Sequence, residues 1–168
     1  NRYKAHNWHC LADLNRRSPY VVLYTSLNCP YTCHFCNVHA LYGDRKVRYR
    51  PLIGIFHELK FFAQQGIRNI KVWDELFTLD SGRVQQICDF IIANGFEFNI
   101  WAYARVNTVT EKMLAKMKKA GINWLAYGFE SAKSDLRSHS GKSFANYKMK
   151  RAIDMTRDAG INIIDNFM

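Results

Sequence analysis

Proline is scarce in this sequence, at 3 of 168 residues, and glycine reaches only 9. These counts argue against collagen-like repeats and low-complexity linkers, and 48% hydrophobic residues argue against a disordered chain. No apolar run approaches the roughly 20 residues that a membrane-spanning helix needs. The opening Asn1-Arg2-Tyr3-Lys4 lacks the apolar core of a secretory signal. A soluble, cytoplasmic protein without a membrane partner is the expectation. Acidic residues are in deficit, 14 against 24 Lys plus Arg, giving a formal charge of +10. That surplus suits nucleic acid, a phosphorylated ligand or an acidic partner segment, and chooses none of them. The five cysteines are odd in number and too few for a secreted disulfide scaffold. What is present is enough apolar and aromatic sequence to bury the core of one domain.

Short apolar runs alternate with amphipathic stretches. Residues 20–27 are β-branched and aromatic and read as a buried strand. Leu52, Ile55, Phe56, Leu59, Phe62 and Ala63 share one helix face, Pro51 suits the first turn, and the helix stops at Gly66. Further strands are expected at 69–73, 96–103, 123–129 and 161–167. One helix between them runs from about Ser81 to Gly95, with Val84, Ile87, Cys88, Ile91 and Ile92 on its apolar face. Another is capped by Thr110 and carries Met113, Leu114 and Met117, and the last covers roughly 144–159. Gly66, Gly95, Gly121 and Gly160 repeat one device, a glycine that ends a helix before an apolar residue opens a strand. Four such crossovers imply an α/β fold of parallel strands with outer helices, either a doubly wound sheet or a βα barrel.

Both architectures put function at the carboxyl ends of the strands. Polar residues gather there: Cys29, Cys33 and Cys36 after the first strand, Asp74 and Glu75 after the second, Arg105 and Asn107 after the third, Glu130 and Ser131 after the fourth. The spacing C-x3-C-x2-C lets three thiolates curl about one inorganic centre. Zinc would need a fourth ligand, which His34 or His39 could supply, and no second cysteine pair is present. An iron-sulfur cluster usually takes four cysteines, so three would leave one iron open to a chelating ligand. Plain solvation is the competing account of Asp74, Glu75, Arg105 and Glu130, and of the basic run Arg45, Lys46, Arg48 and Arg50. Cys88, Phe56, Phe61, Phe62 and Trp124 read as packing.

With Phe35 directly before the third cysteine, Cys29-Pro30-Tyr31-Thr32-Cys33-His34-Phe35-Cys36 resembles the signature of the radical S-adenosylmethionine (radical SAM) superfamily. The resemblance implies a partial (β/α) barrel of parallel strands with outer helices, truncated at about the fifth strand where that family's core has six. It implies a [4Fe-4S] cluster on Cys29, Cys33 and Cys36, and an open iron that chelates the amino and carboxylate groups of S-adenosylmethionine. One-electron reduction then cleaves the sulfonium to a 5′-deoxyadenosyl radical, with flavodoxin or ferredoxin as the implied donor. Trp73-Asp74-Glu75 stands at the place of the family's Gly-Gly-Glu motif, where an acidic side chain accepts from the methionine ammonium. Register favours Glu75 over Asp74. Arg105 is the expected clamp on the methionine carboxylate. Tyr127-Gly128-Phe129-Glu130-Ser131 resembles the segment that contacts the ribose or methionine part, with Glu130 accepting from ribose hydroxyls.

Residues 1–19 read as a linker from a preceding domain, and 20–168 as a radical SAM core incomplete at its C-terminus. With 74–78, 101–105 and 128–131, this resembles radical SAM proteins that follow a cobalamin-binding domain. Such enzymes methylate unactivated carbon or phosphorus centres, or catalyse rearrangements. The resemblance thus implies such chemistry on a small-molecule or peptide substrate, with cobalamin held by a domain outside this chain. Two other readings stand beside it. One is an RNA-modifying, methylthiotransferase-like radical SAM enzyme, which the charge suits although no stacking platform of aromatics and arginines is evident. The other is a non-catalytic zinc or iron-sulfur module.

Overall fold

The computed structural model describes residues 19–168, so all of the expected linker except Pro19 lies outside the described residues. In chain order the elements are β1 (Tyr20–Leu23), β2 (Ser26–Leu27), α1 (Val38–Tyr42), β3 (Arg48–Tyr49), α2 (Leu52–Gln64), β4 (Asn69–Val72) and α3 (Ser81–Ala93). There follow β5 (Asn99–Ala104), α4 (Glu111–Lys119), β6 (Ile122–Glu130), α5 (Ser134–His139), α6 (Asn146–Asp158) and β7 (Asn162–Phe167). β1, β4, β5, β6 and β7 form one sheet in that order, every neighbouring pair parallel. Each crossover adds its strand on the same side of the last. A doubly wound sheet reverses direction at a switch point, so this monotonic order is that of a partial βα barrel.

The helix-to-strand joints form as the sequence predicts. Gly66, Gly95, Gly121 and Gly160 all have left-handed φ, from 63° to 84°. The next residue's N–H closes back onto the helix in three of them: Ile67 to Phe62 O, Phe96 to Ile91 O and Ile161 to Thr156 O, at 2.9 to 3.2 Å. Thr110 caps α4 through Met113 N, as its position suggests. At the amino edge of the sheet, asparagine side chains link consecutive strands. Asn69 Nδ2 donates to Pro19 O, Asn99 Nδ2 to Asn69 Oδ1 and Asn123 Nδ2 to Asn99 Oδ1, at 3.0 to 3.3 Å.

Three expectations need correction. Residues 20–27 are not one strand: the chain leaves the main sheet after Leu23, and Ser26–Leu27 pairs antiparallel with Arg48–Tyr49. β5 begins at Asn99, because before the strand starts Phe96 packs edge-on against Phe90 and Phe98 packs, tilted, on Phe96. Phe61 does not pack in the core but is 55% exposed, unlike Phe56, which stacks on Phe90 at 4.1 Å.

Side chains alternate across the sheet with the strand period of two. Ile70, Val72, Ile100, Ala102, Ala104, Ile122, Tyr127 and Phe129 join the helices in the main core. Trp101, Trp124, Ala126 and Tyr103 lie together in a second cluster on the concave side, where Lys71 sits 3.8 Å from the Trp73 ring centroid and 4.1 Å from that of Trp101. Continued upward, that face brings Trp73, Glu75, Arg105, Gly128 and Glu130 to the carboxyl edge. Among the described residues no helix is long and apolar enough to cross a membrane.

Candidate functional site: a cysteine loop at the mouth of the barrel

The cysteine loop starts from a left-handed residue, Asn28, with φ 75°. Asn28 is a buried hub. Its Nδ2 reaches Asp44 O and Lys46 O, its Oδ1 accepts from Cys29 N at 2.8 Å, and its own N–H donates to Glu75 Oε2 at 2.9 Å. A polar side chain that bonds locally is what makes αL accessible to a non-glycine residue. Farther along, Cys36 N donates to Cys33 O at 3.0 Å and His39 Nε2 bonds Cys29 O at 2.7 Å. Cys29, Cys33 and Cys36 are free thiols facing one cavity of about 480 Å³. Burial raises the Cys29 thiol above its ordinary pKa, Cys33 and Cys36 add to the rise, and a backbone bond with Tyr31 and the charge of Arg105 oppose it.

The adjacent carboxylates divide their work. Asp74 is 1% exposed and accepts from Thr25 N at 2.6 Å, Thr25 Oγ1 at 2.5 Å and Ser26 Oγ at 2.6 Å. It borders the cavity but ties the end of β1 to the start of β2, which breaks the expected long strand. Glu75 also borders the cavity, bonding Asn28 N and, at 3.2 Å, Tyr42 Oη. Each of its oxygens has a second lone pair for another donor.

Arg105, just past β5, borders the cavity too. Its Nη1 approaches Cys33 Sγ at 3.7 Å, its guanidinium carbon stands 4.0 Å from the Tyr31 ring centroid, and its buried Nε has no hydrogen-bond partner. Glu130, with φ 63°, is 6% exposed and pairs with Lys142 Nζ at 2.6 Å. Phe35 is half exposed and lines the same cavity with Tyr31, Trp73 and Tyr103. Ser131 does not join them. The chain turns at Glu130, Ser131 Oγ accepts from Lys133 N, and its carbonyl accepts from Arg137. Asn107 bonds Tyr31 Oη at 3.4 Å. In the basic run, Arg48 pairs with Asp44 and Arg50 with Glu58. Cys88 is fully buried, its thiol pushed up to about 12 chiefly by burial, in agreement with a core role. Asn28, Tyr42 and Lys142 are participants that sequence reasoning missed.

Residues 23–168 match the Radical SAM superfamily, nearly the whole described chain and all three cysteines. The chain belongs to the radical SAM superfamily. An uncharacterized methyltransferase of Pyrococcus horikoshii, PH0819, is 29% identical over 151 residues, a match covering 89% of this chain and 33% of that protein. The cobalamin-dependent S-adenosylmethionine radical enzyme OxsB superposes with a TM-score of 0.79 at 21% identity, over 94% of this chain and 25% of OxsB. The radical S-adenosylmethionine methyltransferase TsrM of Kitasatospora setae gives 0.73 at 20% identity, over 91% and 31%. The chain therefore spans about a third or less of these three proteins, and the two structural likenesses establish the fold.

A radical SAM core implies a [4Fe-4S] cluster and S-adenosylmethionine, and the side chains present fit that pair. The donors are three unpaired thiols on one loop, with a guanidinium placed to meet thiolate charge. Among the described residues, no group of three or more His, Cys, Asp or Glu could hold one metal ion. Of the two histidines considered as a fourth zinc ligand, His34 bonds His139 O through Nδ1 and His39 bonds Cys29 O through Nε2.

Proposed function

We propose that this chain is the catalytic core of a radical SAM enzyme in which Cys29, Cys33 and Cys36 hold a [4Fe-4S] cluster and the adjoining cavity holds S-adenosylmethionine. The observation that carries the reading is the convergence of three free thiols, Glu75, Arg105 and Glu130 on one cavity. When bound, the cluster and S-adenosylmethionine supply reductive cleavage of a carbon–sulfur bond to a 5′-deoxyadenosyl radical. Glu75 accepts hydrogen bonds from the methionine ammonium, with the site's dry walls strengthening the charge pairing. Asp74 is a positioning residue rather than the ammonium partner, since its oxygens already serve Thr25 and Ser26. Arg105 offers donors to the methionine carboxylate, and its buried Nε supports that assignment. Glu130 accepts from ribose hydroxyls, while Tyr31, Phe35, Trp73 and Tyr103 provide aromatic wall for the adenosine.

The finer reading is cobalamin-dependent methylation or rearrangement of a small-molecule or peptide substrate, with cobalamin carried outside these residues and a flavodoxin or ferredoxin as reductant. Its support is the motif resemblance together with the methyltransferase name of the Pyrococcus relative. Anaerobic reconstitution with iron and sulfide, then dithionite and S-adenosylmethionine, tests the core. A four-iron absorbance and slow release of 5′-deoxyadenosine are expected. Absence of either after full reconstitution would overturn the proposal. Cobalamin dependence is tested on the longer protein, where methyl transfer to substrate should require added cobalamin.

A further inference from the structure

Between β6 and α6 the chain returns to the cysteine loop. Residues 139–142, from the last residue of α5 onward, lie along its central turn. His34 N donates to Ser140 O at 3.1 Å, and His34 Nδ1 bonds His139 O at 2.6 Å. Gly141 has φ 83°, and a β-carbon on it would stand 3.0 Å from Thr32 O and 3.1 Å from Cys33 Cα. Both its conformation and its close neighbours therefore disfavour a side chain.

Lys142 points the other way. Its Nζ donates to Glu130 Oε1 at 2.6 Å and to Gly128 O at 3.0 Å, and lies 5.8 Å from the Phe35 ring centroid. The Lys142 and Glu130 side chains are 11% and 7% exposed. A β-carbon on Gly128 would collide with the Lys142 ammonium and the Glu130 carboxylate, so the strand leaves a gap for this pair. The segment is also stiff. Arg137, fully buried, donates to Ser131 O, Phe144 O and Asn146 Oδ1, while its own carbonyl accepts from Lys142 N.

We propose that residues 139–142 are a positioning strap: Gly141 and the His34 contacts fix the turn that carries Cys33, and Lys142 ties this turn to Glu130, so that Glu130 and the Cys33 turn are mechanically coupled. Lys142 is a positioning residue in this scheme. A buried ion pair is costly to break from one side, because the remaining charge is left without a partner. A change at Lys142 therefore loosens the strap, and with it the turn around Cys33. The strap rests on the proposed function only for the identity of what Cys33 and Glu130 hold.

The test is amide hydrogen exchange on the metal-free 168-residue chain, comparing wild type with Lys142→Met, Lys142→Arg and Gly141→Ala. Exchange at the His34 amide should quicken about ten-fold in Lys142→Met, as for loss of one net hydrogen bond's worth of restraint. Lys142→Arg should restore most of the protection, and the amides of β4 should not change. Gly141→Ala adds no charge, so after reconstitution it should alter the magnetic resonance spectrum of the reduced cluster through geometry alone. If Gly141→Ala fails to fold, Lys142→Met carries the test. His34 exchange within two-fold of wild type in Lys142→Met would overturn the strap, even if the cluster forms and S-adenosylmethionine is cleaved. Faster exchange in a chain that never assembles a four-iron cluster would instead uphold the strap and overturn the cluster assignment.

Discussion

Asp74→Ala should be among the most destabilising single changes in this chain, and Asp74→Asn should recover much of the loss. The Asp74 carboxylate is 1% exposed and accepts from three donors, Thr25 N, Thr25 Oγ1 and Ser26 Oγ, at 2.5 to 2.6 Å. Alanine leaves all three without their acceptor at a buried position. Hydrogen bonds to a charged group are worth about 1.5–3 kcal/mol each, but a shared acceptor makes them non-additive, so the combined loss is about 3–5 kcal/mol. Asparagine keeps Oδ1 for the Thr25 amide, and its Nδ2 donates to hydroxyls that rotate to accept, which limits the loss to about 1–2 kcal/mol. Against the roughly 5–15 kcal/mol typical of whole domains, the alanine variant forfeits a large fraction of stability. Its melting temperature should fall by about 6–20 °C at roughly 2–4 °C per kcal/mol. Urea denaturation of the metal-free chain followed by circular dichroism measures both variants. Asp74→Ala within about 1 kcal/mol of wild type, or Asp74→Asn as damaging as alanine, would refute the reasoning.

Alanine at Cys29, Cys33 or Cys36 should each abolish the brown four-iron absorbance after anaerobic reconstitution, whereas Cys88→Ala should keep it, because Cys88 is sealed in the helix-facing core; full retention in all three loop variants would remove the cluster from this site. Glu75→Gln should weaken S-adenosylmethionine binding about ten-fold or more while sparing the cluster, as expected for losing a charge-assisted bond; equal affinity by titration of the cluster's magnetic resonance signal would exclude Glu75 from the ammonium site. Burial lowers Lys71 from its ordinary 10.5 to about 8, so between those values the unfolded chain binds more protons and stability should rise with pH across that window. Lys71→Met should remove about 1–3 kcal/mol of that rise, and a parallel pH profile in wild type and variant would contradict the depressed value.

The elements legible in advance were those whose causes are local. Gly66, Gly95, Gly121 and Gly160 mark helix ends because a left-handed C-terminal residue favours glycine wherever it falls, and Thr110 marks a helix start because its side chain satisfies an amide three residues on. The break in 20–27 has no local mark. Tyr24-Thr25-Ser26 is good strand sequence, and the bend comes from Asp74, whose partners lie 48 and 49 residues away in the chain. α1 and α5, of five and six residues, complete too few turns to show a helical period. Phe61 misled because Phe61 and Phe62 are consecutive on a helix, where neighbours point about 100° apart and only one can face the sheet.

At the site, the strand ends were legible as positions, and their partners were not. Glu75, Arg105 and Glu130 follow from knowing where β4, β5 and β6 stop, since parallel strands must deliver those residues to one edge. Asp74 and Glu75 both border the cavity, but their side chains take different partners. One turns toward β1 and holds Thr25 and Ser26; the other turns toward the loop and holds Asn28. Both therefore anchor the stretch that leads into the cysteines, at residues 25–28. Lys142 was beyond the reach of pattern, because it arrives at Glu130 from a connection of irregular backbone after a six-residue helix. Its role is set by the fold around it: Gly128 leaves it room, Arg137 fixes its backbone, and Glu130 offers it a nearly dry carboxylate. A charge so placed is held by all three at once, and this is why a change at Lys142 should be read at His34, on the far side of the strap.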